Sequence, residues 1–371
     1  MPSTFELPLL SIAELSRKLR EKEISPVELL TSCLARIAAL DDRLHAFNSL
    51  RAEAALAEAR LAEKEILRGN WLGHLHGIPV GIKDLIDVAG LPTTAQALHR
   101  KNAIAMEDAS VVHTMKDAGA IVIGKQSTLE YAAGIAQIDG PLPTARNPWN
   151  LDYDPAGSSS GSAVAVAAGL CPGSVGTETA GSIRDPASWC GVAGLKPTDG
   201  LVSRKGVLSL SRTMDCIGPL AWTVEDCAKM LSAMISSDPE DLTLEGFRRP
   251  GLSALDRGVR GLRVGIVRHF YEGDSDMDAD VLGAMERSLT VLEGLGANLS
   301  TVHLAAFDHY GAIARSITWP EEYAEHQVEL TSYPDRFGTV TRSRLEDGKS
   351  VSAHVYITAM QLRLALIKEL A

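Results

Sequence analysis

Pro155-Ala-Gly-Ser-Ser-Ser-Gly-Ser162 and Gly176-Thr-Glu-Thr-Ala-Gly-Ser-Ile-Arg184 decide how this 371-residue chain reads. They are two serine and glycine clusters, separated by a run of small residues, Ala163 to Gly169, that reads as a helix. Glycine and alanine beside serine do two things. They let the backbone take conformations closed to larger residues. They also let backbone N–H groups come close to a substrate oxygen, as an oxyanion hole requires. One such cluster is what a tight turn between packed elements looks like. Two clusters, one ending in Ser-Ile-Arg, with a lysine on an apolar strand end upstream, point to chemistry.

Working outward, Ile78-Pro-Val-Gly-Ile82 is a short apolar run that ends in Lys83-Asp84. Ala120-Ile-Val-Ile123 is a second, β-branched run, and His113 to Ala118 before it fits a helix. The alternation implies an α/β sheet. The first seventy residues read as helices. Ser11-Ile-Ala-Glu14 and Ser25-Pro-Val-Glu28 are capping boxes, the second with Pro26 at the first helical position. A second α/β stretch follows, with a strand at Gly261 to Val267 and a helix from Asp278 to Leu295. Val351 to Ala371 reads as a helix, and Ser236 to Leu255 as a loop.

Other motifs fail on their chemistry. Gly119 to Gln126 nearly spells a phosphate loop, but Gln126 stands where magnesium needs Ser or Thr and the interior is an apolar strand. Glu322 and His326, one helical turn apart, read as a surface pair without a third metal ligand. His74 and His76 lack a nearby carboxylate or cysteine. No metal site is expected. The five cysteines are widely spaced and form no CxxC, so they read as reduced, packed residues of a cytoplasmic protein. With 36 Lys and Arg against 47 Asp and Glu, the net charge of −11 and the lack of a basic run exclude nucleic acid and anionic membranes as partners. A membrane span needs about 20 apolar residues, and Ala163 to Cys171 is less than half that.

Four motifs in order give the chain its resemblance: Gly77-Ile-Pro-Val-Gly-Ile-Lys-Asp84, Pro155 to Ser162, Gly176 to Ala187, and Gly194-Leu-Lys-Pro-Thr-Asp-Gly-Leu-Val-Ser203. The chain resembles the amidase signature family, the Ser–cisSer–Lys amide hydrolases. The match is strong from about Ser11 to Met234 and looser beyond. Lys83 and Ser158 are 75 positions apart, and Ser158 and Ser182 are 24 apart, as in the family. The resemblance implies a single domain over 1–371, a central mixed β-sheet covered by helices on both faces, and residues 1–70 as an N-terminal helical layer.

It further implies Ser182 as nucleophile, Ser158 as bridging serine after a cis peptide bond at Gly157, and Lys83 as general base. The backbone N–H groups of Thr179, Ala180, Gly181 and Ser182 would form the oxyanion hole. Ser159, Thr177 and Arg184 would support the loop. No cofactor is implied. Substrates would be small-molecule amides, esters or carbamates, and a homodimer is a family-level expectation. The alternative class is a glutamine-amidotransferase component that works in a complex with other subunits. Against it, Asp199-Gly-Leu-Val-Ser-Arg-Lys stands where such components usually carry an aromatic and an arginine. A non-enzymatic scaffold would have no use for Lys83, Ser158 and Ser182 together.

Physical chemistry sets conditions on these roles. An ordinary lysine is almost fully charged at pH 7, so a lysine base must lose about three pKa units, worth roughly 4 kcal/mol, through burial. Ile78, Val80 and Ile82 supply an apolar surrounding, and Asp84 is expected to point elsewhere. Ala156, Ser160 and Ala180 replace the family's usual glycines, and Glu178 its usual Asp. Ala180 would be strained if its φ were positive. The pocket walls are expected on loops such as Gln137 to Thr144 and after Asp308. Family members usually continue past Val351 to Ala371 with strands that complete the sheet and one cleft wall. Those strands are missing here, and a chain ending there would expose a sheet edge.

Overall fold

In Ile121-Val122-Ile123 successive side chains face opposite ways, as a strand requires, and both sets are buried. Val122 joins a core with Val80, Ile82 and Val175, while Ile121 and Ile123 join a second core with Ala163 and Val164. The sheet therefore lies between two helical layers. The computed structural model describes residues 4–136, 142–235, 238, 241, 244, 252–272 and 277–370. They divide into two compact units, Met1–Pro250 with Glu321–Lys349, and Gly251–Pro320 with Ser350–Ala371.

The first unit holds a six-stranded mixed sheet. Its strands are β1 (Phe47–Leu50), β2 (Pro79–Lys83), β3 (Ile121–Gln126), β4 (Gly173–Glu178), β5 (Ala193–Gly194) and β6 (Cys216–Ala221), in the spatial order β1-β3-β2-β4-β6-β5. β2 is parallel to both β3 and β4; the pairs β1–β3, β4–β6 and β5–β6 are antiparallel. Its α-helices up to Met234 are α1 (Ile12–Arg20), α2 (Pro26–Leu44), α3 (Ala52–Leu67), α4 (Ser110–Asp117), α5 (Ser160–Ala167), α6 (Arg184–Cys190) and α7 (Val224–Met234). Leu15 of α1, Met115 of α4 and Met230 of α7 fill one core; Cys33 of α2, Ala59 of α3 and Cys190 of α6 fill the other. Both capping boxes form, at Ser11 with Glu14 and at Ser25 with Glu28.

The first seventy residues are not helical throughout. His45 closes α2 in a left-handed conformation, and the Asp41 carboxylate accepts N–H bonds from Ala46 (2.8 Å) and Phe47 (3.2 Å). The chain is thereby turned into an extended path and becomes β1 at the sheet edge. All five cysteines are buried and unpaired.

α8 (Ala279–Gly294) connects β7 (Arg263–Ile266) to the parallel β8 (Asn298–Thr301) in the second unit, so the expected strand and helix are both present. α9 (Phe307–Ser332) crosses the division between units at Pro320; α10 (Thr339–Asp347) belongs to the first unit and α11 (Ala353–Leu370) to the second. Among the described residues no helix is long and apolar enough to cross a membrane.

The segment that nearly spelled a phosphate loop is strand β3, buried throughout. Its Lys125 is fully buried and pairs with Asp84 at 2.9 Å. Asp84 also accepts bonds from Asn48 (2.8 Å) and from the hydroxyl and N–H of Thr94, so its carboxylate turns away from Lys83 as expected. Removing one partner of such a pair strands the other charge, at about 3–5 kcal/mol. Asp84→Ala is expected to lower unfolding free energy by about that much in urea titration, and adding Lys125→Met should recover most of it. Equal stability of Asp84→Ala and wild type would refute the pairing.

Backbone strain falls at Ala156, not Ala180. Ala156 has φ 59°, whereas Ala180 is absent from the positive-φ residues. A left-handed conformation costs an L-residue about 1–2 kcal/mol, part of which glycine returns through its freer unfolded chain. Ala156→Gly should therefore raise stability by about 0.5–1 kcal/mol, read as a higher denaturant midpoint. A lower midpoint would contradict this account.

Candidate active site

The parallel strands β2 and β4 end side by side, β2 on Lys83 and β4 on Glu178. Ligands in α/β sheets bind at such carboxyl ends. On β2 the residues Val80 and Ile82 enter one core. Lys83 alternates with Ile82, so it leaves the strand on the other face, towards the start of α5. There Ser158 follows a cis peptide bond from Gly157.

Lys83 is fully buried. Its Nζ donates to Ser158 Oγ at 2.6 Å, to Thr177 Oγ1 at 2.8 Å and to Thr177 O at 3.4 Å. None of these partners is charged. Burial lowers the amine to about 7, while the more distant Asp215 and Glu178 push it back up. The Ser158 carbonyl accepts from the Thr128 hydroxyl (2.8 Å) and from Leu129 N (3.2 Å), which fixes the cis turn from behind.

Ser159 joins this turn to both neighbouring segments. Its N–H donates to Ser182 O at 3.0 Å, and its hydroxyl donates to Thr177 O at 3.1 Å. Gly176 leaves room for that hydroxyl; a Cβ there would lie 2.7 Å from Ser159 Oγ. Ser182 is partly exposed, and among the described residues its side chain has no hydrogen-bond partner. Gly181 before it has φ +128°, and a Cβ there would meet Asp185 Oδ2 at 2.3 Å, so only glycine fits.

Glu178 braces the loop. Its Oε2 accepts from Ile183 N (3.0 Å) and Arg184 N (3.1 Å), and its Oε1 from Arg184 Nε (2.6 Å). The extra methylene over Asp thus carries the carboxylate to the first turn of α6. Thr179 and Ala180 follow directly, with Ala180 exposed and Thr179 half-buried.

The structure brings Lys83, Ser158, Ser159 and Thr177 into one hydrogen-bonded group, ties Ser182 to it through its backbone, and connects Arg184 through Glu178. It adds residues that sequence reasoning missed. Asp215, just before β6, accepts the Thr179 hydroxyl at 2.5 Å. Thr128 holds Ser158. The signal for Asp215 was a carboxylate directly in front of the apolar run Cys216-Ile-Gly-Pro-Leu220.

Glu322 and His326 are not a surface pair. Glu322 is 1% exposed with Arg344 at 3.4 Å, and His326 packs edge-on against Tyr131 with ring centroids 4.7 Å apart. Both lie under the α9–α10 connection, which a helical spacing alone cannot reveal. His76 is buried and accepts from Leu72 N at 3.2 Å. Of the loop expected to wall the pocket, residues 137–141 lie outside the described residues. A cavity of about 470 Å³ lies beside Thr177, lined by Leu85, Leu208, Leu210, Arg204, Asp215 and Glu325 among others.

The sequence matches the family described as Amidase over residues 28–370. A glutamyl-tRNA(Gln) amidotransferase subunit of Carboxydothermus hydrogenoformans is 40% identical over 301 residues, covering 81% of this chain and 61% of that protein. The chain thus spans about 61% of the length of such curated relatives. The native peptide amidase of Stenotrophomonas maltophilia superposes with a TM-score of 0.82 at 31% identity, over 94% of this chain and 77% of that one. A vestigial protein complex described as revealing the origins of an s-triazine catabolic enzyme superposes at 0.89, with 30% identity over 97% of this chain and 78% of that one. The four ordered motifs, the mixed sheet and these matches agree: the chain belongs to the amidase signature family.

Proposed function

We propose that this chain is an amide hydrolase working through Lys83, Ser158 and Ser182, with an acyl-enzyme on Ser182. The observation that carries the reading is the buried Lys83 amine, 2.6 Å from Ser158 Oγ and held near a pKa of 7. A base titrating near neutral pH is both available and strong enough to take a proton.

A serine hydroxyl is a weak nucleophile and needs that base. With Lys83 neutral, its lone pair accepts the Ser158 proton across the same short contact. Ser158 in turn takes the proton of Ser182 as its Oγ bonds to the carbonyl carbon. The oxygen gains negative charge, and the backbone N–H groups of Thr179, Ala180, Gly181 and Ser182 are the donors assigned to it. When the C–N bond breaks, the proton returns through Ser158 to the leaving amine. Water then attacks the acyl carbon and passes a proton through Ser158 to Lys83. As the bond from the acyl carbon to Ser182 Oγ breaks, that proton returns through Ser158 to Ser182 Oγ, releasing the acid and restoring the starting state. Thr177 orients the amine, Ser159 fixes the turn, and Arg184 with Glu178 holds the loop. The steps call for no metal or cofactor. The same chemistry serves esters and carbamates. We assign the protein to the cytoplasm, where its unpaired cysteines stay reduced.

A second reading is supported by the 40–42% identity to glutamyl-tRNA(Gln) amidotransferase components: a glutaminase acting within a complex. Asp199 to Lys205 departs from the YGRVSR pattern usual there, which favours the free hydrolase. A partner protein co-purifying with the chain, and glutamine turnover only in its presence, would decide for the complex.

Hydrolysis of an aliphatic amide, an anilide, an aryl ester, an aryl carbamate and glutamine tests the proposal. Ser182→Ala should abolish turnover. Lys83→Ala should lose about 10²–10⁴-fold at neutral pH and recover only at high pH. The wild-type rate should rise as pH rises through about 7, because the charged amine below that value cannot accept a proton. Turnover undiminished in Ser182→Ala would end this mechanism.

A further inference from the structure

The segment 179–182 is held at two places, and only one belongs to the motif itself. Glu178 bonds Ile183 N and Arg184 N. On the other flank the Thr179 hydroxyl donates to Asp215 Oδ1 at 2.5 Å. Asp215 Oδ2 accepts from Ser209 Oγ (3.0 Å), Leu210 N (2.8 Å) and Ser211 N (3.0 Å). Both oxygens of this buried carboxylate are thus occupied, and they join two segments that share no other described side-chain bond. Glu321 grips the same turn from α9, accepting from Ser211 Oγ (2.6 Å) and Thr213 N (3.0 Å).

We propose that Asp215 is a positioning residue for the hydrolysis: by holding Thr179 it fixes the backbone donors of residues 179–182 against the turn at Ser209–Ser211. The inference rests on the reading of the site given above. A donor array of this kind is effective only while it is held in place, and misplacement by about 1 Å can cost about 100-fold in rate.

The carboxylate also has an electrostatic consequence. Asp215 and Glu178 are the two groups whose charge favours protonated Lys83 against burial. Around Asp215 itself, Arg204 Nη1 donates to its backbone carbonyl at 3.2 Å, and the carboxyl of Glu322 on α9 is raised partly by its charge. Burial raises Asp215 while its four donors lower it. Neutralising position 215 removes one of the two charges that hold Lys83 up, so the base should titrate at lower pH.

Three variants separate the effects. Asp215→Ala removes tether and charge. Thr179→Val removes the tether and keeps the charge. Asp215→Asn removes the charge and keeps the tether: its oxygen still accepts from Leu210 N and Ser211 N, and its NH₂ donates to a Thr179 hydroxyl that turns round to accept. Profiles of kcat and KM against pH are measured with thermal melting of each variant. Asp215→Ala and Thr179→Val should lose about 10–100-fold in kcat with little change in KM. Asp215→Asn should recover most of that loss, and the midpoint of its rising limb should lie below the wild-type value. If Asp215→Ala fails to fold, Asp215→Asn and Thr179→Val still decide.

A wild-type midpoint in Asp215→Asn together with wild-type kcat in Thr179→Val overturns the inference. In that outcome an inert Ser182→Ala leaves the hydrolase reading standing. Retained activity in Ser182→Ala removes the reading and the inference with it. Labelling of Ser182 by a fluorophosphonate reads the same rates without a substrate, so a wild-type chain that neither turns over nor labels overturns both.

Discussion

A primary amine inside a β-sheet with no carboxylate in contact is the constraint around which the first unit is arranged. Water solvates an ammonium strongly, and burial without a counter-ion favours the neutral form. Lys83 meets this condition because its neighbours are two hydroxyls and a carbonyl. Each of those neighbours needs its own support. Ser158 depends on Thr128, Leu129 and the start of α5; Thr177 depends on its place in β4 and on Ser159. The cluster is thus a packing problem solved by small residues, which explains why serine, glycine and alanine crowd this part of the chain.

Lys125 makes the contrast clear. It sits on the neighbouring strand, equally buried, but bonded to Asp84 at 2.9 Å. One lysine is paired with a charge; the other has only uncharged partners, as the proposed mechanism requires. Asp84 follows Lys83 directly in sequence, yet its carboxylate is drawn away by Lys125, Asn48 and Thr94. Those three partners keep the adjacent carboxylate from pairing with the Lys83 amine.

Local features were legible in the sequence because short-range forces write them. The capping boxes at Ser11 and Ser25 and the alternation in Ile121-Val-Ile123 formed where they were read. The long-range partners were not legible. Glu322 and His326 look like an exposed helical pair until α10 and the Tyr131 turn cover them. β1 looks helical by composition until the Asp41 carboxylate captures the N–H groups beyond His45. Ala180 would have been strained had its φ been positive, yet of the replaced glycines it is Ala156 that has the left-handed φ, because local geometry at such a position depends on the fold around it. In the second unit the strand β7 and the helix α8 were readable for the same local reasons as the caps, whereas the parallel partner β8 was not read.

Burial of Lys83 taken alone would be too strong a device. An amine driven far below neutrality is always free, but it is a poor base, since a proton taken up is held weakly. An amine left at its ordinary value is a good base that is never free. The useful position lies between, and it requires an opposing force at a distance that does not form a bond. Asp215 and Glu178 supply it: Asp215 is bound to backbone and hydroxyl donors, Glu178 to backbone N–H groups and the Arg184 guanidinium, neither touches the amine, and both raise it against burial. The same two carboxylates hold the loop on which Ser182 stands. Whatever shifts that loop therefore also shifts the charge that acts on Lys83, so in the proposed mechanism nucleophile and base are tuned together by one pair of acidic side chains.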